Sequence, residues 1–267
     1  MDILRCLHMG VRVVNRNPLI LLIPILIDAV KFITFYMGYV YHFLPGLEPT
    51  TGIEAGKDFY RVIPRIPPTI EDVLTIEWMP MADRALTYAP EIIALLVISI
   101  IISAFFKGSY LGMLRLAVKD EKVVVKDLFE NGKYYFVRFF VLWTVLALVN
   151  ILFAYFALIT QSMVFIIVVS LVVMFYILLE YSIVIEDLTL INAIARAPQV
   201  LASSFIRFAG LFIIAVVINW LLSMVVNAAG TAVLILGILL TAYINTVIIA
   251  AVIEMYLNFL LRESGTA

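Results

Sequence analysis

The sequence predicts an all-α polytopic membrane protein: six transmembrane helices arranged as three repeats, each an amphipathic interfacial helix followed by a transmembrane hairpin, with pseudo-threefold symmetry. Three observations carry that expectation. Of 267 residues, 64% are hydrophobic and only 14% charged, against about half and a quarter in soluble domains. Apolar stretches long enough to cross a bilayer recur along the chain. The basic residues sort to one side of those stretches.

A hydrocarbon core ~30 Å thick takes about 20 residues of helix. Segments 18–41, 90–106 (running on toward 118), 138–160, 163–185, 206–228 and 231–256 qualify. Their apolar runs are continuous, whereas barrel strands would alternate over about 10 residues. The first run follows Arg5, Arg12 and Arg16, as a signal peptide would. It contains Asp28 and Lys31 and ends in Phe35-Tyr36-Met37-Gly38-Tyr39 rather than a small-residue cleavage site, so it is expected to stay as an anchor. Short joins, Leu158 to Ser162 and Ala228 to Gly230, make antiparallel hairpins of the third and fourth spans and of the fifth and sixth.

Residues 42–89 form the one long connection, an acidic, proline-rich loop inserted in the first repeat. Six prolines (Pro45, Pro49, Pro64, Pro67, Pro68, Pro80) exclude long helices there. Seven carboxylates and four cations occupy this loop, while thirteen of the eighteen Lys and Arg residues lie on the other side of the spans. The positive-inside rule then puts both termini in the cytoplasm and loop 42–89 outside, in a cell-membrane protein whose residues 1–267 form a single domain.

Arg16, Arg138 and Arg207 each open an inbound span, and Asp28, Asn150 and Asn219 follow twelve positions later. Amphipathic segments precede each arginine. In the first, Ile3, Leu4, Leu7, Val11 and Val14 oppose Arg5, His8, Arg12 and Asn15. Residues 124–136 and 188–201 repeat the pattern, and such helices are expected in the membrane interface. The outbound spans carry Lys107, Glu180 and Glu254, each followed within three residues by a tyrosine, Tyr110, Tyr181 or Tyr256. The three units are parallel, since each begins and ends on the cytoplasmic side.

An ionisable group within a bilayer costs ~2.5–3.5 kcal/mol on insertion scales, so each intramembrane one is a candidate. Asp28 and Lys31 share a helix face. Twelve residues of helix span about 18 Å, which puts Asp28, Asn150 and Asn219 at one depth. They form either a binding layer or a structural one, with Asp28 closed on Lys31 and the asparagines bonding across helices. Lys107, Glu180 and Glu254 are expected to line a cytoplasmic vestibule. Arg16, Arg138 and Arg207 are expected to hold lipid phosphates and set helix depth. Gly108 and Gly112 have the spacing of a close helix contact.

The one cysteine, Cys6, excludes an intrachain disulfide and a cysteine cluster, and two histidines, His8 and His42, argue against a catalytic histidine network. No metal site, cofactor or catalytic residue is expected, and a net charge of −1 offers no face for nucleic acid.

The stretch Lys107-Gly108-Ser109-Tyr110-Leu111-Gly112-Met113-Leu114-Arg115, with Lys126-Asp127-Leu128-Phe129 and Tyr135-Phe136-Val137-Arg138-Phe139-Phe140, resembles uncharacterised prokaryotic six-span integral membrane families. These are similar to the membrane domain sometimes fused to glycerophosphodiester phosphodiesterases. The resemblance implies an architecture and carries over no catalytic residue. The expected function is therefore non-enzymatic: binding or moving a small solute, ion or lipid through the bundle. The alternative is a scaffold or permease-like assembly partner acting through the interfacial helices and outside loop. Membrane lipids are the expected partners, with a protein partner or a second copy also compatible.

Overall fold

A computed structural model of the chain describes residues 3–27, 89–160, 175–229 and 234–264, and these are helices joined by short turns. In chain order they are α1 (Ile3–Arg16), α2 (Pro18–Ile27, opening with a 3-10 turn), α3 (Ala89–Val118), α4 (Val125–Thr160), α5 (Phe175–Ile185), α6 (Leu190–Ala229) and α7 (Leu234–Glu263). Four of them, α3, α4, α6 and α7, are long and apolar enough to cross a membrane.

Local chemistry sets the breaks. Pro18 has no backbone N–H and disfavours helical geometry at Asn17, which adopts φ −128° and ψ 64°. The chain there turns 93° between α1 and α2. The corner is fastened because buried Asn17 Oδ1 accepts the Val123 N–H at 3.2 Å. At the end of α3, Asp120 N–H donates to Ala117 O and Glu121 N–H to Leu116 O, each at 3.1 Å. This is a Schellman closure, with Asp120 rather than glycine in the left-handed position at φ 62°. Asp127 Oδ2 then accepts the Val124 N–H at 2.8 Å, satisfying one orphan donor at the start of α4.

The second amphipathic segment is not a separate interfacial helix. It runs through Arg138 into the apolar part of α4 without a break. The third is interrupted: α6 contains Pro198, and Ser204 leaves helical geometry at φ −129°, ψ 16°. The three inbound segments therefore begin with a corner, a straight run and a kink.

Small residues govern the tightest packing. Along the α3–α4 contact, a Cβ on Gly108 would stand 2.9 Å from Tyr135 Cβ, and one on Gly112 2.5 Å from Asn131 Cγ. Ser109 Oγ donates to Leu128 O across the same seam at 2.7 Å. The spacing of Gly108 and Gly112 is thus used as a helix contact. α1 lies along α7, and α6 packs beside α7. The core between these helices contains Trp143, Tyr135, Phe139, Leu111, Met113 and Tyr256, all 2% exposed or less.

Candidate functional site

Two features stand out in the bundle: a buried ion pair and an apolar pocket. Lys107 from α3 and Glu180 from α5 meet with Nζ 2.9 Å from Oε2, at 4% and 1% side-chain exposure. The other carboxylate oxygen accepts Tyr176 O–H at 2.5 Å. Lys107 Nζ also lies 5.9 Å from the Trp143 ring centroid, and Trp143 meets Tyr176 edge-on at 5.7 Å. The ammonium so has a carboxylate and an aromatic face as neighbours. Trp143 Nε1 is buried without an acceptor among the described residues.

The pair is closed on itself, and Glu254 does not join it. Glu254 is half-buried on α7 and accepts from Asn258 Nδ2 at 3.0 Å. The three tyrosines that follow these charged residues face inward. Tyr110 O–H donates to Thr246 Oγ1 at 2.9 Å, Tyr181 is buried, and Tyr256 O–H stands 2.7 Å from Ser182 Oγ.

Of the other expected site residues, Asp28 and Lys31 lie outside the described residues. Asn150 and Asn219 fall on α4 and α6, with side chains that also lie outside the description. Arg16 bonds Asp120 at 2.6 Å. Arg138 bonds Asp187 at 2.5 Å and lies 5.2 Å from the Tyr134 ring centroid. Arg207 is half-buried at the kink in α6, with no ion-pair partner among the described residues.

Sequence reasoning missed the carboxylates that receive these arginines. Asp120 and Asp187 are the two non-glycine residues at positive φ among those described, 62° and 56°. Both sit just after an outbound helix, and each accepts from the arginine that opens an inbound one. A pair of adjacent acids after an apolar run and before an amphipathic one, Asp120-Glu121 and Glu186-Asp187, was the available signal. A further cluster was missed as well. Arg196 Nε lies 3.1 Å from Glu186 Oε1, its Nη2 is bonded to Glu263, and Tyr256 O–H donates to Glu186. The start of α6, the end of α7 and the α5–α6 turn are thereby tied together.

Burial pushes the Asp187 carboxyl up, but hydrogen bonds from Tyr134 and Arg138 outweigh it and hold the group below its ordinary range. A depressed folded-state value gives stability that is present above the unfolded value and lost as pH falls through the folded one. Thermal unfolding followed from pH 6 to about pH 3 should fall in wild type below about pH 4. In Asp187→Asn part of that fall should be gone, and superimposable profiles would refute the contribution. The group is 41% exposed, so the difference is expected to be small.

The pocket lies between α5, α6 and α7, is partly open to the surface, and holds a cavity of about 50 Å³. Tyr181, Phe208, Leu211, Ala215, Asn245 and Ile248 are among its walls, so an apolar lining carries two polar groups.

The described residues are helices joined by short turns, and several of these helices are long and apolar enough to cross a membrane. Residues 1–261 match the family described as a domain of unknown function (DUF7847), and the chain belongs to that family. Comparison with curated proteins and with solved structures returns no match.

Proposed function

We propose that this is a non-enzymatic, six-span membrane protein that binds a lipid or similar hydrophobic molecule in the pocket between α5, α6 and α7. The observation that carries the reading is the lining of that pocket. Its walls offer almost no polar groups to a hydrated solute or an ion, whose desolvation would go uncompensated. An acyl or isoprenoid chain would find dispersion contacts throughout, with Tyr181 and Asn245 to orient a polar end.

The six-span architecture draws support from α2 and α5, which are apolar helices continuing the first and fourth expected spans, beside the four long helices. The threefold repeat draws support from Arg16–Asp120 and Arg138–Asp187, which join the beginning and end of the first two units in the same way. In this reading the charged end of the bundle, with both termini, faces the cytoplasm, and loop 42–89 lies outside. The architecture also accords with the resemblance to membrane domains sometimes fused to phosphodiesterases.

Ala215→Trp tests the proposal by filling the pocket from α6. The full chain, purified in an uncharged detergent, should bind a fluorescent long-chain fatty acid saturably. The variant should lose affinity by more than about tenfold, ~1.4 kcal/mol, while its helix content stays unchanged. Equal affinity in the two proteins would overturn the pocket as the binding site.

A further inference from the structure

α1 presents three sectors around its axis. Cys6, Gly10, Val13 and Val14 are buried, on the side that packs along α7. Next to them, Leu7 is half-buried and Leu4 and Val11 are exposed, Leu4 at 69%. The remaining arc holds Arg5, His8, Arg12, Asn15 and Arg16, all exposed. A soluble helix needs one apolar face to dock and a polar face for water. This helix has a second apolar face, left uncovered and bordered by cations.

Two further observations fix what would cover it. The 93° corner at Asn17 lays α1 across the direction of α2, so an α2 that enters a membrane leaves α1 in the membrane plane. Moreover, the polar residues of this arc differ in commitment. Arg16 is held by Asp120, whereas Arg5, His8 and Arg12 have no ion-pair or hydrogen-bond partner among the described residues. We infer that α1 is an interfacial helix that binds anionic phospholipid headgroups through Arg5, His8 and Arg12, with Leu4 and Val11 in the acyl region. The arginine expected from sequence to hold a phosphate here, Arg16, is paired with Asp120 beside the corner.

The inference rests on the membrane placement proposed above and is independent of the pocket. It is tested with the full chain in uncharged detergent micelles, titrated with labelled phosphatidylglycerol and with phosphatidylcholine bearing the same label. Wild type should prefer phosphatidylglycerol by more than about tenfold, since each arginine near an anionic surface contributes about fivefold. Arg5→Gln/Arg12→Gln should lose most of that preference. Lys122→Gln/Lys133→Gln, which removes two exposed charges elsewhere, should keep it.

No preference in wild type, or equal loss in both double variants, would overturn the inference. So would competition by millimolar inorganic phosphate, or tighter binding of a single-stranded oligonucleotide, which would make the arc a general anion or nucleic-acid surface. A chain that stays monodisperse without detergent would instead refute the membrane placement itself.

Discussion

Glu180→Gln is expected to destabilise the protein by about 3–5 kcal/mol, because it leaves the Lys107 ammonium unpaired in the interior. The substitution is nearly isosteric, and its side-chain oxygen can still accept the Tyr176 hydrogen bond, so the loss isolates the charge. Lys107→Met should cost a comparable amount by stranding the carboxylate. The double variant Lys107→Met/Glu180→Leu should return much of the lost stability, since apolar replacements of a buried pair are often neutral or better. Thermal unfolding of the four proteins in detergent forms a double-mutant cycle. Single-variant losses below about 1 kcal/mol, the range of an exposed pair, would mean that water reaches the pair.

Such a pair is a poor source of stability, because the desolvation of two ions offsets most of their attraction. Its strength is specificity: one register of α3 against α5 satisfies it. Register selection of this kind accounts for a lysine and a glutamate at 4% and 1% exposure without invoking a ligand. It also explains why these residues, expected to line an open vestibule, are found closed on one another.

Gly10→Ala is the second large effect. A Cβ at this position would overlap the carbonyl oxygen of Val247, and backbone cannot yield as a flexible side chain does. α1 must move away from α7, at a cost of about 1–3 kcal/mol, and the Tyr243–Asn15 hydrogen bond of 3.0 Å goes with it. The chain's single cysteine reports the movement, since Cys6 sits in the docked face at 2% exposure. Maleimide labelling of Cys6 should be slow in wild type and faster in Gly10→Ala by about tenfold per 1.4 kcal/mol of lost docking. Gly210→Ala supplies the comparison. There a Cβ meets only the flexible end of Ile3, at 3.0 Å, so labelling should rise much less. Equal rates in wild type and Gly10→Ala would show that α1 does not depend on this close approach.

Much of the fold was legible because its signals are local. Long apolar runs make helices wherever they occur, and α3, α4, α6 and α7 fall on the expected spans. The Asn17-Pro18 corner follows from proline's missing donor, and the Gly108–Gly112 contact from the absence of Cβ atoms. Whether an amphipathic segment breaks from the span after it was not legible. The segments before Arg16 and Arg138 look alike, yet one ends at a corner and the other continues as α4. Proline explains the first, and nothing in the second forbids helix.

The candidate site was legible as a list of residue types and not as a set of partners. Lys107 and Glu180 are 73 positions apart, and Arg16 and Asp120 are 104 apart. Pairing over such separations depends on which helices become neighbours, and each helix offers several faces of similar hydrophobicity. For the same reason Arg196 gave no sign that it would bind Glu186 and Glu263 together.

By itself, then, the sequence determined the class: helices, several able to cross a membrane, with charge sorted to their ends, to the 42–89 connection and to a few interior positions. Those properties follow from the cost of exposing apolar groups to water and charges to hydrocarbon, which acts residue by residue. Only the tertiary structure decided that Lys107 and Glu180 close on each other, that Arg16 and Arg138 are held by turn aspartates, and that Arg5, His8 and Arg12 have no ion-pair or hydrogen-bond partner among the described residues. Partner choice is a property of packed surfaces, where a single Cβ at Gly10 or Gly112 changes which groups come within hydrogen-bonding distance.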